Sequence, residues 1–293
     1  MGTTLPVYRA GLNDSTRWER FEPRTGDIVI SAPSKCGTTW LQMICALLIL
    51  QEPALPAPLT TLSPWLDIRL RPIGDVTATL AAQRHRRFIK THTPLDGLPR
   101  WPGVTYLVIG RDPRDVGVSI DHHRANLDGT VFERLLGGGA APRRPASRRE
   151  RILQWMHDER PPTVGMDTLR TMVHHLGQAW ECRADPSVVL LHYAELSADL
   201  PGQMRALAGH LALDVPERSW PALVGAAGFD AMRGNAARLV PDERLGLFTS
   251  ETAFFRSGRS GQWRDVLTDD DLAAYDSVLR SVAAPGFVEW LQR

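Results

Sequence analysis

Short β-branched runs alternate with longer stretches of helical spacing along this chain. The segment Asp27-Ile-Val-Ile-Ser31 follows the turn signal Arg24-Thr-Gly26 and has the character of a buried strand. Residues 87–90, 104–109 and 187–193 repeat that character. Residues 38–50 form a helical pattern that is apolar on most faces. Further helical patterns start near Val116 and cover about 168–183 and 201–212. Strands alternating with helices predict one α/β domain spanning 1–293, with a mainly parallel central sheet and helices on both faces. Ligands of such sheets bind beyond the carboxyl ends of the strands. All four predicted strands carry polar residues there: Ser34-Lys35, Lys90 to His92, Arg111 and Tyr193. Residues 137–150 hold turn formers and arginines without an apolar face, and read as an exposed, flexible loop.

Composition narrows the function classes. A chain of 293 residues that is 43% hydrophobic and 23% charged is not disordered as a whole. A net charge of +1 argues against a dedicated nucleic-acid binder, while leaving room for a local basic pocket. Three cysteines cannot form a disulfide framework and suit a reducing compartment. The longest apolar run, 43–50, falls far short of the roughly 20 residues that span a bilayer. The start of the chain has no secretory pattern. These features together predict a cytoplasmic protein without membrane insertion. The pairs His122-His123 and His174-His175 point apart on a helix, and the cysteines lack paired ligand spacing, so no metal site is expected.

The first strand leads into Ala32-Pro-Ser-Lys-Cys-Gly-Thr-Thr-Trp40. A strand, a turn with Lys35 and Gly37, and a helix opening with Thr38 and Thr39 make a physical recipe for anion binding. The free N–H groups of a first helical turn and its dipole both favour negative charge. The Walker pattern does not fit, because Lys35 precedes Gly37 instead of following a glycine. Taken alone, the segment is also compatible with an ordinary βα turn capped by threonine. Cys36, at a helix N-terminus beside a lysine, is expected to have a lowered pKa.

This loop resembles the 5′-phosphosulfate-binding loop of cytosolic-type sulfotransferases that use 3′-phosphoadenosine 5′-phosphosulfate (PAPS), and the chain reads as a bacterial member. It departs from the family's Tyr-Pro-Lys-Ser-Gly-Thr-Thr-Trp by an earlier proline, Pro33, and by Cys36 in place of serine. Three more segments match in order: Lys90-Thr-His-Thr-Pro94, the run from Arg111 to Ser119, and the run from Phe255 to Arg264. The only two lysines among 34 basic residues, Lys35 and Lys90, stand where the family has lysine.

The resemblance implies a transferase moving a sulfuryl group from PAPS to a hydroxyl or amine of a small, largely apolar acceptor, with no metal. By it, Lys35 stabilises the leaving 5′-phosphate, Lys90 the sulfuryl oxygens, and His92 is the general base. Arg111, Ser119, Arg256, Ser257 and Gly258 hold the 3′-phosphate, with Ser257 standing in for a family lysine. Ser119 is also a candidate to restrain Lys35. Backbone and side chains of Cys36, Gly37, Thr38 and Thr39 bind the 5′ end, and Trp40, Tyr193 and Phe229 pack on adenine. Trp18, Phe21, Trp65, Trp155, Leu245 and Phe248 border the acceptor pocket. Of the family's dimer motif only Arg264 and Thr268 are present, which leaves monomer and homodimer both open. A phosphate-loop kinase, with Asp112 as metal ligand, is the competing enzyme class, and a non-catalytic nucleotide-binding module the other alternative.

Overall fold

The computed structural model describes residues 4–137, 145–241 and 245–293. Four strands make one parallel sheet: β1 (Ile28–Ser31), β2 (Phe88–Thr91), β3 (Thr105–Gly110) and β4 (Val188–His192), in the spatial order β2-β1-β3-β4. In register, Ile30 lies beside Lys90 and Leu107, and Gly110 beside His192. The strand order reverses at β1. That places a crevice beyond the carboxyl ends of β1 and β3, the position where open α/β sheets bind ligands.

The alternation of side chains along each strand feeds two cores. Val29, Ile89, Tyr106 and Val108 face one, and Ile28, Ile30, Phe88, Leu107 and Ile109 face the other. Helix α1 (Thr38–Leu50) fills the second core, and ten of its residues are buried, as its nearly all-apolar sequence requires. Helix α2 (Pro113–Ala125) follows β3; it starts three residues before the predicted Val116 because Asp112 caps it, accepting from Arg114 N at 2.9 Å. Helices α3 (Arg148–Met156) and α4 (Leu169–Glu181) cover the first core. Helices α5 (Leu200–His210) and α6 (Trp220–Ala227) close the second. Tyr193, predicted at a strand end, opens a short helix, Tyr193–Ala198.

The predicted loop over 137–150 is corrected in part. Residues 138–144 lie outside the described residues. Beyond them, Ser147 caps α3 in a reciprocal capping box with Glu150, so Arg148 and Arg149 are helical. Thr268, a remnant of the dimer motif in the sequence, is the capping residue of α7 (Asp269–Val282). Among the described residues no helix is long and apolar enough to cross a membrane.

A buried ion pair sets the relative height of β1 and β2. Arg87 and Asp27 stand immediately before these strands, with side chains 4% and 2% exposed. Arg87 Nε donates to Asp27 Oδ1 at 2.8 Å, and the second guanidinium nitrogen bonds Asp27 Oδ2 and the Glu22 carbonyl. Removing the cation strands a buried carboxylate. Arg87→Ala is therefore expected to cost about 3–5 kcal/mol, measured by urea unfolding; a loss comparable to that of a surface pair would contradict this.

Candidate active site

Backbone geometry builds the anion site first. Lys35 sits at φ 66° and Gly37 at φ 109°, which folds the loop back and leaves the start of α1 open. Gly37 is the N-cap and no side chain caps the helix, so its first N–H groups are free for a ligand. A Cβ on Gly37 would lie 3.1 Å from both Ile109 and Tyr193, so space and φ alike require glycine there. Thr38 Oγ1 is buried without a hydrogen-bond partner. Lys35, Gly37, Thr38, Thr39 and Trp40 all line a cleft of about 1120 Å³.

The strand ends deliver the charges to that cleft. Lys90, next to last in β2, is almost fully buried, its ammonium 3.8 Å from the centre of the Trp65 ring. Lys35 Nζ lies 3.5 Å from His123 Nδ1 and 4.3 Å from the centre of the Phe254 ring. Burial, followed by the neighbouring cation, pulls Lys35 down to about 8 and Lys90 down to about 7. Asp167 and Asp67 are the carboxylates felt by Lys35 and Lys90 respectively, and neither closes an ion pair with its lysine. His92, in the loop after β2, bonds the Ala32 carbonyl through Nδ1. A carbonyl only accepts, so Nδ1 carries the proton and Nε2 is the basic nitrogen. Burial, and then Lys90, holds the imidazole well below its ordinary pKa, so it is neutral at pH 7.

A second anion locus sits at the end of β3. The Arg111 guanidinium lies 4.2 Å from the centre of the Tyr193 ring, donates to the Arg259 carbonyl at 3.1 Å, and keeps a buried Nε–H without a partner. Asp115 accepts from Gly261 N and Gln262 N at 2.8 and 3.0 Å. That pair of bonds fastens the distant 255–264 segment onto α2. Gly258, at φ 61°, is pressed against Phe229: a Cβ there would lie 2.6 Å from the ring. Arg256 bonds Gln262, and the Ser257 hydroxyl accepts from Gln262 Nε2 at 2.8 Å. Trp40 is held by a 2.9 Å bond from its indole N–H to Ala227 O and meets Tyr193 edge-on at 5.2 Å.

Lys35, Gly37, Thr38, Thr39, Trp40, Lys90, His92, Arg111, Ser119, Tyr193, Phe229, Arg256, Ser257 and Gly258 therefore share one cleft. Cys36 does not bring its side chain there. Its thiol is wholly buried in the first core, and burial pushes its pKa up to about 12, opposite to the lowering expected from sequence. Trp65, Trp155 and Phe248 line the cleft as expected. Trp18 and Phe21 do not: they are buried against each other and Trp101. Leu245 also lies off the cleft wall, which Leu247 reaches instead. Sequence reasoning missed His123, which it treated as half of an idle pair, and the tethering role of Asp115. The i, i+4 spacing of Ser119 and His123 on α2 was the available signal.

A sequence profile of the Sulfotransferase domain matches residues 25–291. Over 307 aligned residues the chain is 39% identical to the glycolipid sulfotransferase of Mycobacterium tuberculosis, covering 98% of this chain and 94% of that protein. Among solved structures, it is similar to retinol dehydratase in complex with retinol and PAP: TM-score 0.71, 22% identity, 92% of this chain and 86% of that one. It is also similar to a mouse sulfotransferase complexed with PAP: TM-score 0.69, 20% identity, 94% of this chain and 91% of that one. At those identities the two structures establish the shared fold.

Thiol reactivity checks the placement of the loop. Cys36 and Cys45 are fully buried, each raised to about 12, while Cys182 is half-buried. An aromatic disulfide reagent at pH 8 is expected to titrate Cys182 alone in the native protein and all three thiols in denaturant. Rapid native modification of Cys36 would contradict the loop conformation.

Proposed function

The chain belongs to the sulfotransferase family, and on that premise we propose that it transfers a sulfuryl group from PAPS to the hydroxyl of an acceptor with a large apolar body. The observation that carries this reading is the gathering of Lys35, Lys90, Arg111 and a neutral His92 on one cleft, with none of these three cations in salt-bridge contact with a carboxylate among the described residues. The donor supplies an activated S–O bond to a good leaving group. This chain's residues bind it, orient it and move one proton.

The 5′ end of the donor fits the open start of α1, where Thr38 Oγ1 has no protein partner. The 3′-phosphate fits Arg111, Ser119, Arg256 and the backbone of 257–258. Trp40, Tyr193 and Phe229 offer the ring faces for adenine. With Ser257 in place of a lysine, Arg148 is the additional cation felt at Arg256. In the transfer itself, the acceptor oxygen attacks sulfur as the bond from sulfur to the 5′-phosphate oxygen breaks. His92 Nε2 takes the acceptor's proton. Lys35 stabilises the charge left on the phosphate, and Lys90 the sulfuryl oxygens.

The acceptor side of the cleft has apolar walls at Trp65, Phe132, Trp155 and Phe248, with Asn13, Gln154 and Asp158 among them. Aromatic walls with interspersed hydrogen-bonding groups suit an amphipathic acceptor of the glycolipid kind, in keeping with the M. tuberculosis relative. The kinase alternative has less support, because the residues on this cleft match the sulfuryl-donor pattern in four segments.

Transfer of labelled sulfate from PAPS to a glycolipid and phenol panel tests this. His92→Ala and Lys35→Ala are each expected to lower kcat by about 10²–10⁴-fold. A preference for ATP with Mg²⁺ over adenosine 3′,5′-bisphosphate in thermal shift, without sulfate transfer, would overturn the reading.

Donor binding should also depend on pH. The lysine pKa values near 8 and 7 belong to the ligand-free protein, and an anion raises both. The complex therefore binds more protons than the free protein above pH 7, and affinity falls as pH rises. Adenosine 3′,5′-bisphosphate is expected to bind about tenfold or more weakly at pH 9 than at pH 6.5, with proton uptake seen as a buffer-dependent heat in titration calorimetry. A pH-independent affinity would contradict the assignment of both lysines.

A further inference from the structure

The adjacent residues His174 and His175 of α4 take no part in the transfer mechanism, and neither lines the cleft. Successive positions on a helix point about 100° apart, so the two side chains reach different neighbours. His174 Nε2 lies 3.0 Å from Asp96 Oδ2 and 2.8 Å from the Tyr8 hydroxyl. His175 is 1% exposed and meets the Ser31 hydroxyl, its Nε2 2.8 Å from Oγ. Ser31 is the last residue of β1 and is fully buried. A polar side chain of a helix thus meets a polar side chain of the central sheet deep inside the protein. An apolar pair would fill that space with no hydrogen bond to satisfy.

The bonds around Ser31 fix which atom carries each proton. A carbonyl only accepts, and Ser31 Oγ donates to Thr93 O at 2.7 Å. That uses the one hydroxyl proton, so His175 Nε2 supplies the hydrogen of the second bond. Burial holds His175 down to about 3, so the ring is neutral and this is its single N–H. Residues 91–93 are laced to the end of β1 by three bonds. Ala32 N donates to Thr91 O at 3.3 Å, the His92 ring donates from Nδ1 to Ala32 O, and Ser31 Oγ donates to Thr93 O. Thr93 N also donates to Thr91 Oγ1 at 2.8 Å, which closes the turn around His92. The backbone on each side of His92 and its imidazole are therefore located by the same two consecutive residues, Ser31 and Ala32. Farther along the segment, His174 holds Asp96.

We propose that His175, acting through the Ser31 hydroxyl, is a positioning residue of the transfer site: it fixes the turn that carries His92. A donor occupying one lone pair of Ser31 Oγ leaves the hydroxyl proton pointing away from the imidazole, toward Thr93. The Thr93 carbonyl then keeps one orientation, the His92 Nδ1–H stays on Ala32, and Nε2 is left as the basic nitrogen. Without the imidazole, Ser31 gains rotamers in which its proton leaves Thr93, and the turn loses one of its anchors. Placement matters for a general base, since a displacement of about 1 Å costs on the order of 10²-fold in rate. The catalytic role of this clamp rests on the sulfuryl-transfer reading; the hydrogen-bonded placement does not.

Ser31→Ala, His175→Leu and His175→Gln test it, the glutamine amide keeping an N–H donor at a reach similar to Nε2. Kinetics separate rate from binding. In Ser31→Ala and His175→Leu, kcat for sulfate transfer is expected to fall about 10–100-fold, while Kd for adenosine 3′,5′-bisphosphate stays within about twofold. His175→Gln is expected to recover most of the lost kcat. Long-range ¹⁵N–¹H spectra of histidine-labelled protein give a second readout that needs no turnover. The wild-type His92 signal, assigned by its loss in His92→Asn, is expected to show the Nδ1–H tautomer, and to move toward a mixture in Ser31→Ala and His175→Leu. An unchanged kcat in folded Ser31→Ala and His175→Leu overturns the proposal. So does a His92 tautomer that stays put in both, or a kcat loss matched by an equal loss of bisphosphate affinity. Should His175→Leu fail to fold, Ser31→Ala, which removes a single oxygen, decides it. If the wild type sulfates no acceptor, the functional reading falls, and the tautomer shift alone decides the placement.

Discussion

The structure turns on positive charge concentrated at the carboxyl end of the sheet. Lys35, Lys90 and Arg111 converge at the carboxyl end of the sheet, and neither lysine closes an ion pair. Burying cations this way is unfavourable, and the depressed lysine pKa values are the visible sign of that strain. Two apolar cores, one on each face of the sheet, hold the strand ends fixed against it. A polyanion entering the cleft relieves the repulsion at all three cations. Charge repulsion in the empty site thus becomes selectivity for a doubly phosphorylated, sulfated ligand.

The same constraint explains why so much of the chain is committed to a few contacts. Arg111 is held by the Arg259 carbonyl, Asp115 by the backbone of 261–262, and Gly258 by Phe229. The first two of these contacts join residues 111–115 to the last fifth of the chain. Each is specific in a way a generic apolar contact is not: a carboxylate across two N–H groups, or a backbone pressed onto a ring face with no room for a Cβ. They bring the anion-binding segments to one place although about 145 residues of sequence separate Asp115 from Gly261. By contrast, the side of the cleft proposed for the acceptor is walled mainly by large side chains from separate elements.

Trp65 joins the two ends. It lines the cleft on the side proposed for the acceptor, and its ring meets both the Lys90 ammonium and the His92 imidazole. On the proposed reading, an acceptor pressing on this ring would be felt by the lysine and the imidazole together.

Much of this molecule was legible before any fold was known. β-branched runs and apolar helical stretches gave the four strands and α1, because burial on both faces of a parallel sheet demands such residues. Lys35, Gly37 and the threonines could be read from local chemistry, since a strand, a turn and a helix start dictate their own geometry over ten residues. Lys90, His92 and Arg111 were readable as polar residues at strand ends, while their roles came only from the family resemblance. The side-chain direction of Cys36, the burial of Trp18 and Phe21, and the meeting of His123 with Lys35 were not. Each depends on which face of an element turns inward, and that is settled by packing between segments far apart in sequence.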